Sequence, residues 1–409
     1  MRVDSGDVAW VLVATALVWM MLMPGLALFY GGLVRAKNLL SVLAQVLGIG
    51  AVTVLVWVGW GYSLAFAEGS ALVGGLGKAG MVGIGPDATW PLATAGKAIP
   101  ELLFACFQMT FAAVATALVI GALVERVRFS AILAFAVLFL TFVYAPLAHM
   151  VWSSDGLLFG IGAIDFAGGT VVHINAGIAG LVGMAMAGPR VGHLKEAMPP
   201  HSLALVMIGA GLLWVGWIGF NAGSALEANG VAALALFNTL VAPAAGVLAW
   251  MAAERWRSGK PSMLGGASGA VAGLVAVTPA AGVSGPLGAI LLGAASALAC
   301  YAFVAKAKNR LRWDDSLDVF GIHGLGGIVG SLGTTLAALP ALGGFGPEGM
   351  EFWPQLGRQG AAVLVAVLWS ASGSALAFWI VKSCLPLRHH EDAEREGLDL
   401  SDHGERAYG

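Results

Sequence analysis

The chain has 409 residues, 58% of them hydrophobic and only 11% charged, with 59 glycines and a formal net charge of -2. A soluble domain carries about a quarter of its residues charged and a disordered chain combines low hydrophobicity with high charge, so both are excluded. The near balance of 21 Lys+Arg against 23 Asp+Glu leaves no basic excess for nucleic acid, and an all-α polytopic membrane protein remains.

Asp4 and Asp7, with Arg2 as the one base, precede the first apolar run. That opening lacks the basic start of a signal peptide, so 8–30 is read as the first spanning helix. Stretches of bilayer-crossing length follow at 39–66, 98–124, 129–147, 166–187, 202–220, 230–253, 263–281, 287–305, 317–336 and 359–382, making eleven spans. Three Gly-x-x-x-Gly spacings, Gly219–Gly223, Gly269–Gly273 and Gly326–Gly330, suit closely approaching membrane helices. Cys106, Cys300 and Cys384 are scattered and odd in number, which suggests neither a disulfide framework nor a metal cluster.

Seventeen of the 21 bases fall in alternate connections, and Arg2, Lys78, Lys97 and Arg358 fall on the other side. The positive-inside bias places the N-terminus outside and the C-terminus inside, which requires an odd number of spans. Ten spans divide into two five-helix halves, 1–187 and 188–336, whose topologies must be inverted, as in repeat-built transporters. An outer loop with the eleventh helix occupies 337–382, and a tail occupies 383–409. The fifth span opens at Asp165 and contains His173; the tenth opens near Asp318 and contains His323.

Of eight histidines, only these two lie well inside spans; His149 falls in a loop that also carries Trp152. An ionisable residue within a membrane is costly and marks a pathway, although a single one also serves as a satisfied packing group. At 1.5 Å per residue, His173 lies about 12 Å below Asp165, and His323 about 7–8 Å from Asp318 at the opposite face. The two approach the membrane middle from opposite sides, and a touching neutral pair can share a proton, one ring donating and the other accepting. With no third ligand nearby, a metal site is the minor reading of the pair, and no catalytic constellation surrounds them.

Phe107 and Phe111 are spaced i,i+4, and Trp217 and Phe220 i,i+3, spacings that are ordinary for core residues. Trp152 is either a belt anchor or a face for a small cation. Residues 391–405 carry seven acids and one base, Arg395, which on composition reads as a solvated tail.

The stretches Asp165-Phe-Ala-Gly-Gly-Thr-Val-Val-His173-Ile-Asn-Ala-Gly, Gly219-Phe-Asn-Ala-Gly-Ser224 and Asp314-Asp-Ser-Leu-Asp318-Val-Phe-Gly-Ile-His323-Gly closely resemble the ammonium transporter (Amt/Mep/Rh) family. So do Tyr144-Ala-Pro-Leu-Ala-His-Met-Val-Trp152 and the tail Glu396-Gly397-Leu-Asp399 with His403-Gly-Glu-Arg-Ala-Tyr408. The resemblance covers nearly the whole chain and implies eleven spans, an inverted five-plus-five repeat, a plasma-membrane homotrimer with one pore per subunit, no cofactor and no enzymatic activity. It implies that Trp152 and Ser224 form an outer recruitment site for ammonium or methylammonium, with Phe107 as a further wall and Asp165 as a buried acid that holds structure and stabilises the cation. Phe111 and Phe220 resemble a stacked gate, His173 and His323 a pore pair, and Trp217 and Tyr144 path-lining residues. Gly397, Asp399, His403 and Tyr408 resemble a regulatory tail, and the implied cytoplasmic partner is a PII signal protein.

Two rivals stand beside this reading. An electroneutral Rh-type channel for ammonia or carbon dioxide has little use for the cation-attracting face of Trp152. An ammonium sensor calls for a fused signalling domain, and the segment from Ser383 onward is too short to be one.

Overall fold

The computed structural model describes residues 1–408. Lipid offers no partners for backbone polar groups, so a chain this apolar satisfies them within helices. Nine helices come first: α1 Ser5–Leu33, α2 Ala36–Phe66, α3 Glu101–Ile120, α4 Phe129–Gly160, α5 Gly169–Ala187, α6 Leu203–Gly223, α7 Gly230–Ser258, α8 Met263–Ala280 and α9 Pro286–Leu311. They are followed by α10 at 320–337, α11 Phe352–Cys384 and two short tail helices, α12 Glu391–Glu396 and α13 Leu398–His403. Among the described residues, ten of these are long and apolar enough to cross a membrane. Besides the two short tail helices, the exception is α10, whose glycines, paired threonines and His323 dilute its hydropathy.

Several helices run past their sequence-read limits, and two of these extensions bear on the site. The first, α4, continues past 147 as helix to Trp152, with a separate turn at Leu157–Gly160 after it, so that His149 and Trp152 stand on a helix and not in a loop. His149 is buried there with its ring nitrogens 3.0 Å and 2.8 Å from the carbonyl oxygens of Ala65 and Ser70. The other, α11, begins at Phe352 and not 359, because Gln359 at its buried face donates to the carbonyls of Ile164 and Ser331 at 2.8 Å each. Pro24 interrupts α1, where Met23 leaves the helical region at φ -131°.

The glycines serve close crossings, as the spacings suggested. A Cβ on Gly246 of α7 would lie 2.3 Å from the carbonyl oxygen of Gly269 on α8, so any side chain would push the pair apart. At one end of the bundle a three-stranded sheet orders the N-terminus and the α2–α3 connection. Its central strand Lys97–Pro100 runs parallel to Arg2–Val3 and antiparallel to Thr89–Pro91. Lys97 of that strand pairs with buried Asp7 at 3.0 Å. The opposite end gathers Arg35, Arg126, Arg190 and Arg388 around buried carboxylates, so the alternation of bases along the sequence becomes a separation in space.

Candidate functional site

Two helix starts build the site. The Asp165 carboxylate accepts backbone N–H bonds from Gly168 (2.9 Å), Gly169 (2.6 Å), Thr170 (2.8 Å) and Val171 (3.4 Å), and also the Thr170 hydroxyl. It thereby satisfies the orphan donors of the first turn of α5 and places negative charge at the positive end of the helix. At the start of α10 the same work falls to Asp315, which accepts from Val319 (2.9 Å), Phe320 (2.9 Å) and Gly321 (3.2 Å).

This corrects the sequence reading, which matched Asp165 with Asp318. Asp165 and Asp315 each precede their histidine by eight residues. Asp318 instead occupies the place of Gly168, three residues after the capping acid: both are left-handed, Gly168 at φ 108° and Asp318 at φ 59°. A non-glycine residue in that region is uncommon, and aspartate is among the few enriched there. The Asp318 side chain turns away from the helix start to pair with Lys308.

Each histidine then falls in a π-helical turn, Gly169–Ile174 or Phe320–Gly324, a local widening that recurs at functional sites. The helices cross where a Cβ on Gly177 would lie 2.4 Å from the Cα of Gly324. That bare crossing brings His173 Nδ1 to 3.3 Å from His323 Nδ1, with the rings 5.3 Å apart and inclined by 25°. If one Nδ1 carries the hydrogen and the other accepts it, the first ring offers a bare Nε2 and the second an Nε2–H. The buried His173 Nε2 has no protein partner among the described residues, and a buried polar atom left open in this way calls for an explanation.

A column of aromatic rings leads to the pair. Trp152 and Ser224 are half-buried at its outer limit, whereas Phe107, Phe111 and Phe220 are buried. Phe111 lies edge-on to Trp152 at 6.0 Å and stacks on Phe220 at 4.0 Å and 22°; Phe220 is 6.0 Å from His173. Phe107 meets Phe111 at 4.9 Å and also presses on Gly223, beside Ser224. Trp217 stacks on His173 at 5.2 Å and donates its Nε1–H to Thr278 at 2.9 Å. The Trp152 Nε1–H donates to the Asp165 carbonyl at 3.0 Å, and the Ser224 hydroxyl donates to the Phe220 carbonyl at 2.8 Å.

Beyond His323 lies a narrow cavity lined by Leu26, Phe29, Leu118, Leu213, Trp217 and Val271 among others. It leaves about 10 Å³ for the centre of a water-sized molecule, close to the least that holds one. Phe29 also borders a wider vestibule of about 330 Å³, further lined by Trp250, Tyr301, Ser316 and Asp318. Tyr144 stands apart from this column. Its ring packs 6.2 Å from Trp57, and its buried hydroxyl has no partner among the described residues.

The charged end of the bundle is joined by a network that the sequence did not announce. Glu125 pairs with Arg35 at 3.0 Å and Arg190 at 2.9 Å, while Asp314 pairs with Arg190 at 2.7 Å and Arg126 at 3.6 Å. Burial pushes the Asp314 carboxyl up, but Arg190 and Arg126 outweigh it and hold the group well below the usual carboxylate range. Burial lowers the Arg126 guanidinium to about 10, with Asp314 opposing the shift, so it stays charged at neutral pH.

Composition suggested a solvated tail; instead it docks on this end. Asp399 accepts from the Ser41 N–H at 2.8 Å, the Leu398 N–H donates to Asn38 at 2.9 Å, and the Tyr408 hydroxyl meets the His201 ring at 3.1 Å. His403 lies edge-on to Phe129 at 5.3 Å. Gly397 adopts φ 118° against Lys37, where a Cβ would fall 2.6 Å from the Lys37 carbonyl.

Sequence reasoning missed Asp315, Thr278, Asn175 and the Gly177–Gly324 crossing. Asn175 donates to the Val171 carbonyl at 3.0 Å and accepts from Ser370 on α11 at 2.7 Å, bracing the turn that carries His173. A polar amide in an apolar run two residues after a histidine was the available signal.

The Ammonium Transporter Family model matches residues 9–408. An ammonium transporter of Aquifex aeolicus is 46% identical, covering 100% of this chain and 94% of that one. One from Bacillus subtilis is 43% identical, covering 99% of each. The crystal structure of Candida albicans Mep2 superposes with a TM-score of 0.86 at 34% identity, covering 96% of this chain and 88% of that one.

Proposed function

Because the chain belongs to the ammonium transporter family, we propose that it recruits ammonium at Trp152, Ser224, Phe107 and Asp165, removes its proton, and conducts ammonia past Phe111 and Phe220 to His173 and His323. The observation that carries this reading is the unbroken series of rings from half-buried Trp152 through the Phe111–Phe220 stack to the histidine pair.

The physics favours a guest that can shed its charge. An aromatic face attracts a small cation, and the Ser224 oxygen can accept an N–H. Past the stack, an ion faces a heavy desolvation cost. Ammonium escapes that cost by losing a proton, whereas potassium, of similar size and charge, cannot. A neutral histidine pair then supplies one accepting and one donating Nε2, a match for ammonia, which both accepts and donates. If the proton crosses separately through the pair, net charge moves and transport is electrogenic. Trp217, stacked on His173, is assigned to the lining of the path; Tyr144, which packs on Trp57 apart from the column, is not.

The protein is a multi-pass membrane transporter. We further assign α10 as an eleventh span, an N-terminus outside and a C-terminus in the cytoplasm, insertion in the plasma membrane, and assembly as a homotrimer. The equal spacing of Asp165–His173 and Asp315–His323 supports inverted halves 1–187 and 188–336, with 337–382 and the tail 383–409 outside the repeat. The tail residues Gly397, Asp399, His403 and Tyr408 are assigned a regulatory role, with a PII signal protein as the cytoplasmic partner.

Ammonium-evoked current in proteoliposomes, with a potassium control, tests the mechanism. Parent protein should carry current with ammonium only, and His173→Ala with His323→Ala should change current or selectivity; an unaltered profile defeats the paired-histidine mechanism. Ammonium uptake without current would favour the electroneutral channel. A pull-down with the cognate PII protein, with and without nucleotide and 2-oxoglutarate, tests the partner, and no association in any state counts against it.

A further inference from the structure

The helix α8 ends in a tight turn, Thr278–Ala280, and two residues of that turn reach the site from behind. The Thr278 hydroxyl donates its one hydrogen to the Leu274 carbonyl at 2.8 Å, an ordinary back-bond for a threonine near a helix end. Its oxygen is left to accept, and it accepts the Trp217 indole N–H at 2.9 Å. Both side chains are buried. Pro279 meets the turn that carries His173: a Cβ on Gly169 would lie 2.7 Å from the Pro279 Cγ, and the Pro279 carbonyl accepts the Phe166 N–H at 3.1 Å. One corner of α8 thus holds the indole and the start of α5 in a common frame.

The indole held in this way borders both sides of the histidine pair. It stacks on His173 at 5.2 Å and 25°, and with His323 it walls the cavity that leaves about 10 Å³ for the centre of a water-sized molecule. An indole has a single N–H and no acceptor. With that hydrogen committed to Thr278, Trp217 shows a passing molecule only apolar surface.

From this we propose that Thr278 is a positioning residue that determines specificity. Acting through Trp217, it fixes the bore at the histidine pair to a guest the size of ammonia and keeps the wall there free of a further hydrogen-bond donor. A guest one methyl group larger, methylamine, passes only where the indole swings aside. The specificity role rests on the transport reading above; the Thr278–Trp217 contact does not.

Two readouts test the two parts separately: solid-state NMR of the Trp217 indole N–H, identified by its loss in Trp217→Phe, and uptake of ammonium and methylammonium by the reconstituted full-length protein. Thr278→Val keeps the shape and removes the acceptor. It should shift the indole resonance and raise methylammonium uptake relative to ammonium about 10-fold, the scale on which an apolar pocket weighs one methyl group. Thr278→Ser, which keeps the acceptor, should recover both. In a Trp217→Phe background Thr278→Val should change the ratio no further, and this double variant serves where the single one does not assemble, because it leaves no indole N–H unpaired. An unshifted resonance in Thr278→Val would overturn the positioning role, and a shifted resonance with an unchanged uptake ratio would overturn the specificity role. A serine variant that behaves like valine, or a further change in the phenylalanine background, would place the effect of Thr278 elsewhere and overturn both. Parent vesicles that take up neither amine would defeat the transport reading, and the specificity role with it, while the resonance still decides the contact.

Discussion

The two helix starts that deliver the histidines share a skeleton and differ in their electrical surroundings. Each has a capping carboxylate, a left-handed residue three positions later and a histidine eight positions later. At the α5 start, the Asp165 charge meets only N–H and O–H donors, and no base forms an ion pair with it among the described residues. At the α10 start, Asp314 and Asp318 flank the cap and are neutralised by Arg190, Arg126 and Lys308. One backbone device thus yields two mouths, one that keeps a net negative charge beside Trp152 and one whose charges are cancelled. On the proposed route, a cation entering by way of Trp152 would meet attraction that a cation approaching from the other end would not.

The widest test removes the caps. Asp165→Ala leaves four first-turn N–H groups without their acceptor and should cost on the order of 4–6 kcal/mol; Asp315→Ala, with three, should cost less. Thermal unfolding in detergent measures both, and a larger loss at Asp315 would reverse the ranking. Next comes the cancelled charge. Asp314→Ala leaves Arg126 buried and should cost about 3–5 kcal/mol near neutral pH. The folded carboxyl is depressed, so its contribution is complete above about pH 4 and is lost as pH falls toward the folded value. The stability gap between parent and variant should therefore narrow only in strong acid, and a gap closing between pH 5 and 7 would contradict the assignment. Gly177→Leu should cost about 1–3 kcal/mol through overpacking and spread the histidines, seen as lost ammonium current in protein that still assembles. The smallest effect belongs to Asp318→Gly, which gives the second start the residue of the first. Relief at φ 59° offsets the lost Lys308 pair, so stability should move by less than about 1 kcal/mol; a larger drop would make Asp318 more than a stand-in for glycine.

The spans were legible because crossing a bilayer demands length and apolarity, and both are written locally. The ends were not, where polar groups find tertiary partners: Gln359 reaches the carbonyls of Ile164 and Ser331, and His149 those of Ala65 and Ser70. Asp318 looked like a helix start because an aspartate before an apolar run usually is one, and its left-handed backbone leaves no trace in composition. From spacing alone the aromatic column was readable only as residue types on helices, and it was the family resemblance that grouped them as a site, a gate and a pair. Its order through Trp152, Phe111, Phe220 and His173 arises from four helices meeting in space.

The direction of one hydrogen bond carries a further consequence. Ser224 has a single hydrogen, and it is spent on the Phe220 carbonyl 2.8 Å away. Only lone pairs remain to face a visitor, so any guest that bonds here must bring its own hydrogen. An ammonium or methylammonium ion does so, and a tetramethylated one does not. An anion or a bare carbonyl has nothing to offer this oxygen. If Ser224 belongs to the recruitment site as proposed, discrimination at the mouth would begin as a count of the guest's protons, before size or charge is examined further in.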